Sequence, residues 1–316
     1  MKRPASTLTT GGKLGPDLFE SIDFGSSGEQ QMRYHAVRAG ADGEEEGTPV
    51  VCIHGFGGNA DQWRFNLPAL SKGGHPAYAI DLMGYGYSDK PSPKDFAVNE
   101  LYNFENWAGQ TCQFVDNVVK EPVMLVSNSV GGLVALQAAV ERPDIIKGVI
   151  LIDISLRLLH ETKQSALQKP FVKLVQDFLR EGPLGGIFFS QVAEFRGLQN
   201  ILRQAYAGDV SDETVNLILE PGLQPGAADV FLDFISYSSG PLPEQLLPKV
   251  KQPVRILWGE NDPWEPIDMG RQYADKTLYP SVTEFVTLPD AGHCPMDQTP
   301  DKVNAEILRF LDDCGL

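Results

Sequence analysis

Residues 123–142 read VMLVSNSVGGLVALQAAVER, and this stretch decides the fold. VMLV is a short apolar run of the kind buried on both faces of a parallel sheet, and LVALQAAV has helical character. Ser127-Asn128-Ser129-Val130-Gly131-Gly132 must reverse the chain between them within a few residues. A serine on such a strand-to-helix turn is held in strained backbone, so the residues two places either side must be small for strand and helix to approach. Ser127 and Gly131 fill those places; Ser127 stands where glycine is usual in G-x-S-x-G, and it keeps the steric logic. The uncharged run from Pro122 to Val140 is long enough to be tested as a membrane span, but Pro122, Ser127, Asn128, Ser129, Gly131 and Gly132 interrupt it.

PVVCI (49–53), AYAI (77–80), GVILI (148–152), VRILW (254–258) and EFVTL (284–288) are further buried-strand runs. ENWAGQTCQFVDNVV and GGLVALQAAVER supply helices between some of them, and strand-helix alternation predicts an α/β fold with a mostly parallel, doubly wound sheet. LFESIDF and QMRYHAVRA alternate around SSGEQ and predict an opening antiparallel hairpin. Between Ser155 and Pro248 no strand pattern occurs. Phe171, Leu174, Val175, Phe178 and Leu179 recur at i, i+3, i+4, i+7 and i+8, as on one face of a helix. The expected organisation is a flexible basic tail at 1–16, a core formed by 17–154 and 249–316, and a helical cap at 155–248 inserted after the sixth strand.

The 316 residues carry 26 Lys and Arg against 42 Asp and Glu, a net charge of −16 that argues against a nucleic-acid partner. Cys52, Cys112, Cys294 and Cys314 form no C-x-x-C pair, no metal-ligand spacing emerges, and no G-x-x-x-x-G-K-[ST] is present. No metal or cofactor is expected. The opening MKRPASTLTTGGKL is basic and Ser/Thr-rich, a composition suited to the end of an organellar transit peptide or to a disordered terminus.

A serine hydroxyl is a weak nucleophile and needs a histidine base, itself oriented by an acid. EFVTL is followed by Pro289-Asp290-Ala291-Gly292-His293-Cys294, and VRILW by Gly259-Glu260-Asn261-Asp262. Both loops lie past strand C-terminal ends, where open α/β sheets place their sites. His35, His75 and His160 lack such a setting, so His293 is the candidate base. Asp262 is the candidate acid, with Glu260 its near neighbour and Asp153, after GVILI, an acid on another loop. Cys294 reads as a packing residue. Ile53-His54-Gly55-Phe56-Gly57-Gly58 follows a strand directly, and the backbone N–H groups of Phe56 and Val130 are candidate donors to an oxyanion, each worth about 3 kcal/mol of barrier in comparable sites. His54 itself is read as structural.

From about Leu18 onward the chain resembles plant and algal α/β-hydrolases of the chlorophyll dephytylase and pheophytinase group, with the nearer likeness to the dephytylases. IHGFGGNADQWRFNLPAL, YAIDLMGYGYSDKP, SNSVGGLVALQAA, WGENDPWEP and LPDAGHCP carry this likeness, and PGLQPGAADVF and YSSGPLPEQLLP are its more specific stretches. The resemblance implies an α/β-hydrolase fold, with Ser129, Asp262 and His293 as catalytic residues. It also implies hydrolysis of the phytyl ester of chlorophyll to chlorophyllide and phytol, through an acyl-enzyme, in the chloroplast at or near thylakoids. A hydrophobic, chlorophyll-like ester needs an apolar channel, and Phe171, Leu174, Phe178, Ile187, Phe188 and Phe189 of the cap are candidates to line it. Any membrane contact should be hydrophobic in so acidic a chain. His160 is considered as a ligand to the pigment magnesium and read as a surface loop residue. Alternatives are a pheophytin-preferring phytyl esterase, a serine-dependent C–C bond hydrolase, and a receptor or carrier with a vestigial triad. Epoxide hydrolases and haloalkane dehalogenases resemble the HG and DLMGYGYSDKP regions but use aspartate where this chain has Ser129.

Overall fold

The computed structural model describes residues 14, 17–38, 47–165, 168–181 and 183–316. The expected basic tail, apart from Leu14, lies outside them. Eight strands form one sheet: β1 (Leu18–Asp23), β2 (Glu29–Val37), β3 (Val50–Ile53), β4 (Ala77–Ile80), β5 (Val123–Asn128), β6 (Ile146–Ile152), β7 (Val254–Gly259) and β8 (Val282–Leu288). Their order is β1-β2-β4-β3-β5-β6-β7-β8. The β1–β2 hairpin and the β2–β4 pairing are antiparallel, and the other neighbours are parallel, as the sequence pattern predicts.

Helices cover both faces. α1 (Leu67–Lys72), α2 (Phe104–Phe114) and α3 (Gly131–Glu141) lie in the first half of the chain. After β6 come α4 (Gln168–Glu181), α5 (Pro183–Val192), α6 (Phe195–Ala205), α7 (Asp212–Gly222) and α8 (Ala227–Ile235). Short α9 (Pro243–Leu246), α10 (Ile267–Gly270) and α11 (Pro295–Gln298) precede the closing α12 (Pro300–Cys314). Because β3 and β5 are covered on both sides, their alternate residues enter different cores. Val51, Ile53, Val123 and Leu125 join the α2–α3 side, while Val50, Cys52, Met124 and Val126 join the α1–α12 side. This explains why these strands read as continuous apolar runs rather than alternating ones.

The junction of β5 and α3 is the tightest point of this framework. A Cβ on Gly131 would stand 2.5 Å from the His54 carbonyl oxygen and 2.9 Å from that of Ile53, so α3 enters directly against the end of β3. Backbone oxygens cannot swing aside as a side chain can. Gly131→Ala is expected to lose about 1–3 kcal/mol in chemical denaturation through overpacking. Gly109→Ala, inside α2 with nothing within 4 Å of the added carbon, should instead gain roughly 0.5–1 kcal/mol.

Candidate active site

Ser129 directly follows β5 at φ +54°, in the left-handed region that side chains seldom adopt. The chain is held there from both sides. Its N–H donates to the Ile152 carbonyl at 3.0 Å, and its carbonyl accepts from Gly132 at 3.0 Å and from Ser155 at 3.2 Å. Ser127 serves as the small residue ahead of it without leaving a buried hydroxyl unsatisfied, because its Oγ donates to the Ile150 carbonyl at 3.1 Å.

His293 arrives on the loop after β8. Its backbone is pinned by two bonds, N–H to the Ala205 carbonyl at 2.7 Å and C=O from the Asn128 side-chain amide at 2.9 Å. The ring Nδ1 donates to Asp262 Oδ2 at 2.7 Å. With the proton on Nδ1, the neutral ring keeps its lone pair on Nε2, the atom a general base needs. Asp262 also accepts the N–H groups of Trp264 at 2.8 Å and Glu265 at 3.1 Å, so its own turn fixes the carboxyl against the ring. Among the three acids the sequence offered, Asp262 is the one that pairs with His293. Glu260 is exposed, and Asp153 is buried behind Asp262, where it accepts the Gly259 N–H.

The turn after β3 stands over the serine. A Cβ on Gly55 would approach Ser129 Cβ to 2.9 Å, and Gly57 turns the chain at φ +70°. Phe56, Val130, Ser129 and His293 share the wall of one cavity of about 580 Å³. His54 is structural: its Nδ1 donates to the Gly55 carbonyl at 2.7 Å, and its Nε2 accepts the Leu82 N–H at 3.0 Å. Burial pushes its pKa below the ordinary histidine value of 6.5.

The cavity is lined by apolar side chains from several helices. Phe231, Phe234 and Ile235 come from α8, Leu198, Ile201 and Leu202 from α6, and Ile218 from α7. Of the six cap residues expected to line it, only Phe188 does. Phe189 faces a separate space of about 60 Å³. Phe171, Leu174, Phe178 and Ile187 are 68, 66, 52 and 54 % exposed and point away from it. For the three on α4 the reason is that α4 meets α8 through polar groups: Arg180 pairs with the buried Asp233 at 3.0 Å, and the Gln176 amide donates to the Ile235 carbonyl at 3.1 Å. That pairing turns the apolar stripe of α4 outward.

One further expectation changes, and one cavity residue is new. His160 is buried rather than on the surface, and both ring nitrogens are engaged, Nδ1 with Thr162 Oγ1 at 2.8 Å and Nε2 with the Gly240 carbonyl at 3.0 Å. Ligation of magnesium would break one of those bonds. Arg157, which the sequence reading passed over, lines the cavity. It lies over the rings of Phe104 and Tyr237, and its guanidinium donates to the carbonyls of Tyr237, Ser239 and Pro241. Burial lowers its pKa to about 10.

The chain belongs to the alpha/beta hydrolase family, whose sequence model matches residues 50–306. Among curated proteins it is 24 % identical to the uncharacterized hydrolase YugF of Bacillus subtilis, over 83 % of this chain and 89 % of that one. It is likewise 24 % identical to the chloroplastic pheophytinase of Arabidopsis thaliana, over 87 % of this chain and 63 % of the relative. Among solved structures, an esterase of Thermogutta terrifontis superposes with a TM-score of 0.68 at 22 % identity, covering 94 % of this chain and 99 % of that one. At that identity the superposition speaks for the fold. The protein is thus a hydrolase of this family, with a doubly wound sheet and helices inserted between β6 and β7.

Burial penalises the His54 imidazolium, so the unfolded chain binds this proton more readily than the folded one. The stability His54 contributes is therefore complete above the unfolded value near 6.5 and declines as pH falls below it, at up to about 1.4 kcal/mol per pH unit. In ¹⁵N NMR between pH 8 and 6, His54 should keep the spectrum of a neutral Nδ1–H ring throughout. A protonation step centred near 6.5 would contradict its buried bonding.

Proposed function

We propose that this protein is a serine esterase that cleaves the phytyl ester of chlorophyll or of a closely related pigment through an acyl-enzyme. The observation that carries this reading is His293, held by Asp262, sharing with Ser129 the wall of an apolar cavity of about 580 Å³. Ser129 Oγ attacks the ester carbonyl as His293 Nε2 takes its proton, and Asp262 stabilises the imidazolium without itself becoming protonated. The N–H groups of Phe56 and Val130 hold the oxyanion, the latter aided by the positive end of α3. His293 returns the proton to the departing phytol, and a water activated by the same nitrogen frees the pigment acid. Each methylene that the cavity takes out of water contributes about 0.8 kcal/mol, which suits a long hydrocarbon alcohol over a short one.

The likeness to a chloroplastic pheophytinase and the basic opening segment support a chloroplast location. The outward stripe of Phe171, Leu174 and Phe178, together with Leu158 and Leu159 at 40 and 66 % exposed, supports peripheral contact with a lipid surface such as the thylakoid. Leu158 and Leu159 also line the cavity, so an apolar chain leaving lipid meets an apolar entrance. Among the described residues, no helix is long and apolar enough to cross a membrane.

The deciding experiment is product analysis of the purified protein with chlorophyll a, pheophytin a and a nitrophenyl ester of a short acid. Release of phytol, abolished in Ser129→Ala and reduced about 10⁴-fold in Asp262→Asn, is expected. Turnover of a C–C substrate with no phytol released would favour the ring-fission hydrolases instead, and phytol release undiminished in Ser129→Ala would remove the mechanism altogether. Phe231→Ser should depress phytyl-ester turnover at least tenfold more than short-ester turnover. Replacing Phe171, Leu174 and Phe178 together by Ser should abolish flotation with liposomes while sparing the soluble short ester. Flotation of the unaltered protein should be nearly independent of salt.

A further inference from the structure

Behind the Asp262–His293 pair lies a second carboxyl that the mechanism does not use. Asp153 directly follows β6 at φ +45° and is fully buried. It is clamped to β7, its N–H donating to the Leu257 carbonyl at 3.0 Å and its Oδ1 accepting the Gly259 N–H at 2.8 Å. Gly259 has no room to yield, since a Cβ there would stand 2.1 Å from the Gly292 carbonyl oxygen. The other oxygen, Oδ2, is buried and meets no N–H donor; Asp153 instead neighbours the Asp262 carboxyl. Two bare carboxylates cannot share so dry a place, and one proton turns their repulsion into a hydrogen bond. Three N–H groups converge on Asp262 and favour its charge, so the proton belongs on Asp153.

We propose that Asp153 is a positioning residue that remains protonated and donates Oδ2–H to the Asp262 carboxylate, fixing that carboxylate against His293. The titratable groups around it are Asp262 and Glu265 from the loop after β7, with His293 and Cys294 from the loop after β8. Among the described residues no Lys or Arg is paired with it. Burial and the neighbouring Asp262 charge both push its carboxyl well above the usual range. The consequence is that Asp262 is held from behind by a neutral donor, and the imidazolium feels one negative charge rather than two.

This inference rests on the esterase reading for its kinetic arm only. In Asp153→Asn an amide replaces the acid, able to donate to Asp262 and accept from Gly259. The acid limb of the kcat/KM profile, which reports His293, should stay in place and kcat should hold. Were Asp153 ionised, the same substitution would remove a charge beside the imidazolium and move that limb down by about one unit or more, which would overturn the proposal. Asp153→Leu, lacking a donor, should lose about a hundredfold in kcat with KM unchanged; equal activity of the Leu and Asn variants would also overturn it. Infrared spectroscopy provides an arm free of turnover and of any unstable variant. Ser129→Ala protein near neutral pH should show a protonated-carboxyl C=O band that is absent from the Ser129→Ala, Asp153→Asn double variant. Lack of such a band refutes the proposal even if phytol is released, and its presence sustains the proposal even if the substrate proves to be another ester.

Discussion

The structure depends on one backbone constraint, the left-handed turn at Ser129. A serine in that conformation costs on the order of 1–3 kcal/mol, and it persists because its surroundings over-determine it. Its N–H is tied to β6, its carbonyl to the loop after β6, and the glycine two residues on abuts the end of β3. The turn therefore joins β3, β5 and β6 in one knot. The same arrangement lets the side chain stand clear of the sheet and seats the following amide at the start of α3.

Around that knot the polar framework is continuous. Asn128, one residue before the turn, holds the His293 carbonyl with its amide, so strand end and histidine loop move together. The end of α6 is part of the same assembly, since the Ala205 carbonyl accepts the His293 N–H and the Tyr206 hydroxyl donates to Asp297 at 2.6 Å, which in turn pairs with Arg64 at 2.8 Å. The inserted helices are thereby bonded to the loop that carries His293 rather than merely resting over it. Beside the turn after β3, Arg33 is bracketed by Asp61 and Asp81, and the Asp81 carboxylate accepts the N–H groups of Ala60 and Tyr87 at 2.7 Å each. A buried ion pair of this kind sustains geometry more than it adds net stability.

Much of this was legible from sequence because strand periodicity and turn chemistry are local. The hairpin, the buried strands, the turn at Ser129 and the loops bearing Asp262 and His293 could be placed from their own residues. Which side of α4 faces inward could not. An amphipathic pattern states that a helix has an apolar stripe, and only the partner decides where that stripe points; here the Arg180–Asp233 pair and Gln176 decide it. The cavity lining escaped notice for the same reason, although AADVFLDFISY already displayed Phe231, Phe234 and Ile235 three and four residues apart. The sequence favoured Asp262 over Asp153 as the acid, but both follow buried strands, and it is the third dimension that shows Asp262 touching the imidazole. His160 looked like a surface residue until its two carbonyl and hydroxyl partners were seen.

The ring of Phe56 lies 5.1 Å from that of Phe231 and 5.2 Å from that of Phe234. The amide proposed to receive the oxyanion thus shares a residue with a ring that packs on the apolar wall of the cavity. A ligand tail that displaced α8 would tug on the oxyanion turn through that aromatic stack, so tail length would register in turnover number as well as in binding, and the enzyme would gauge its cargo mechanically.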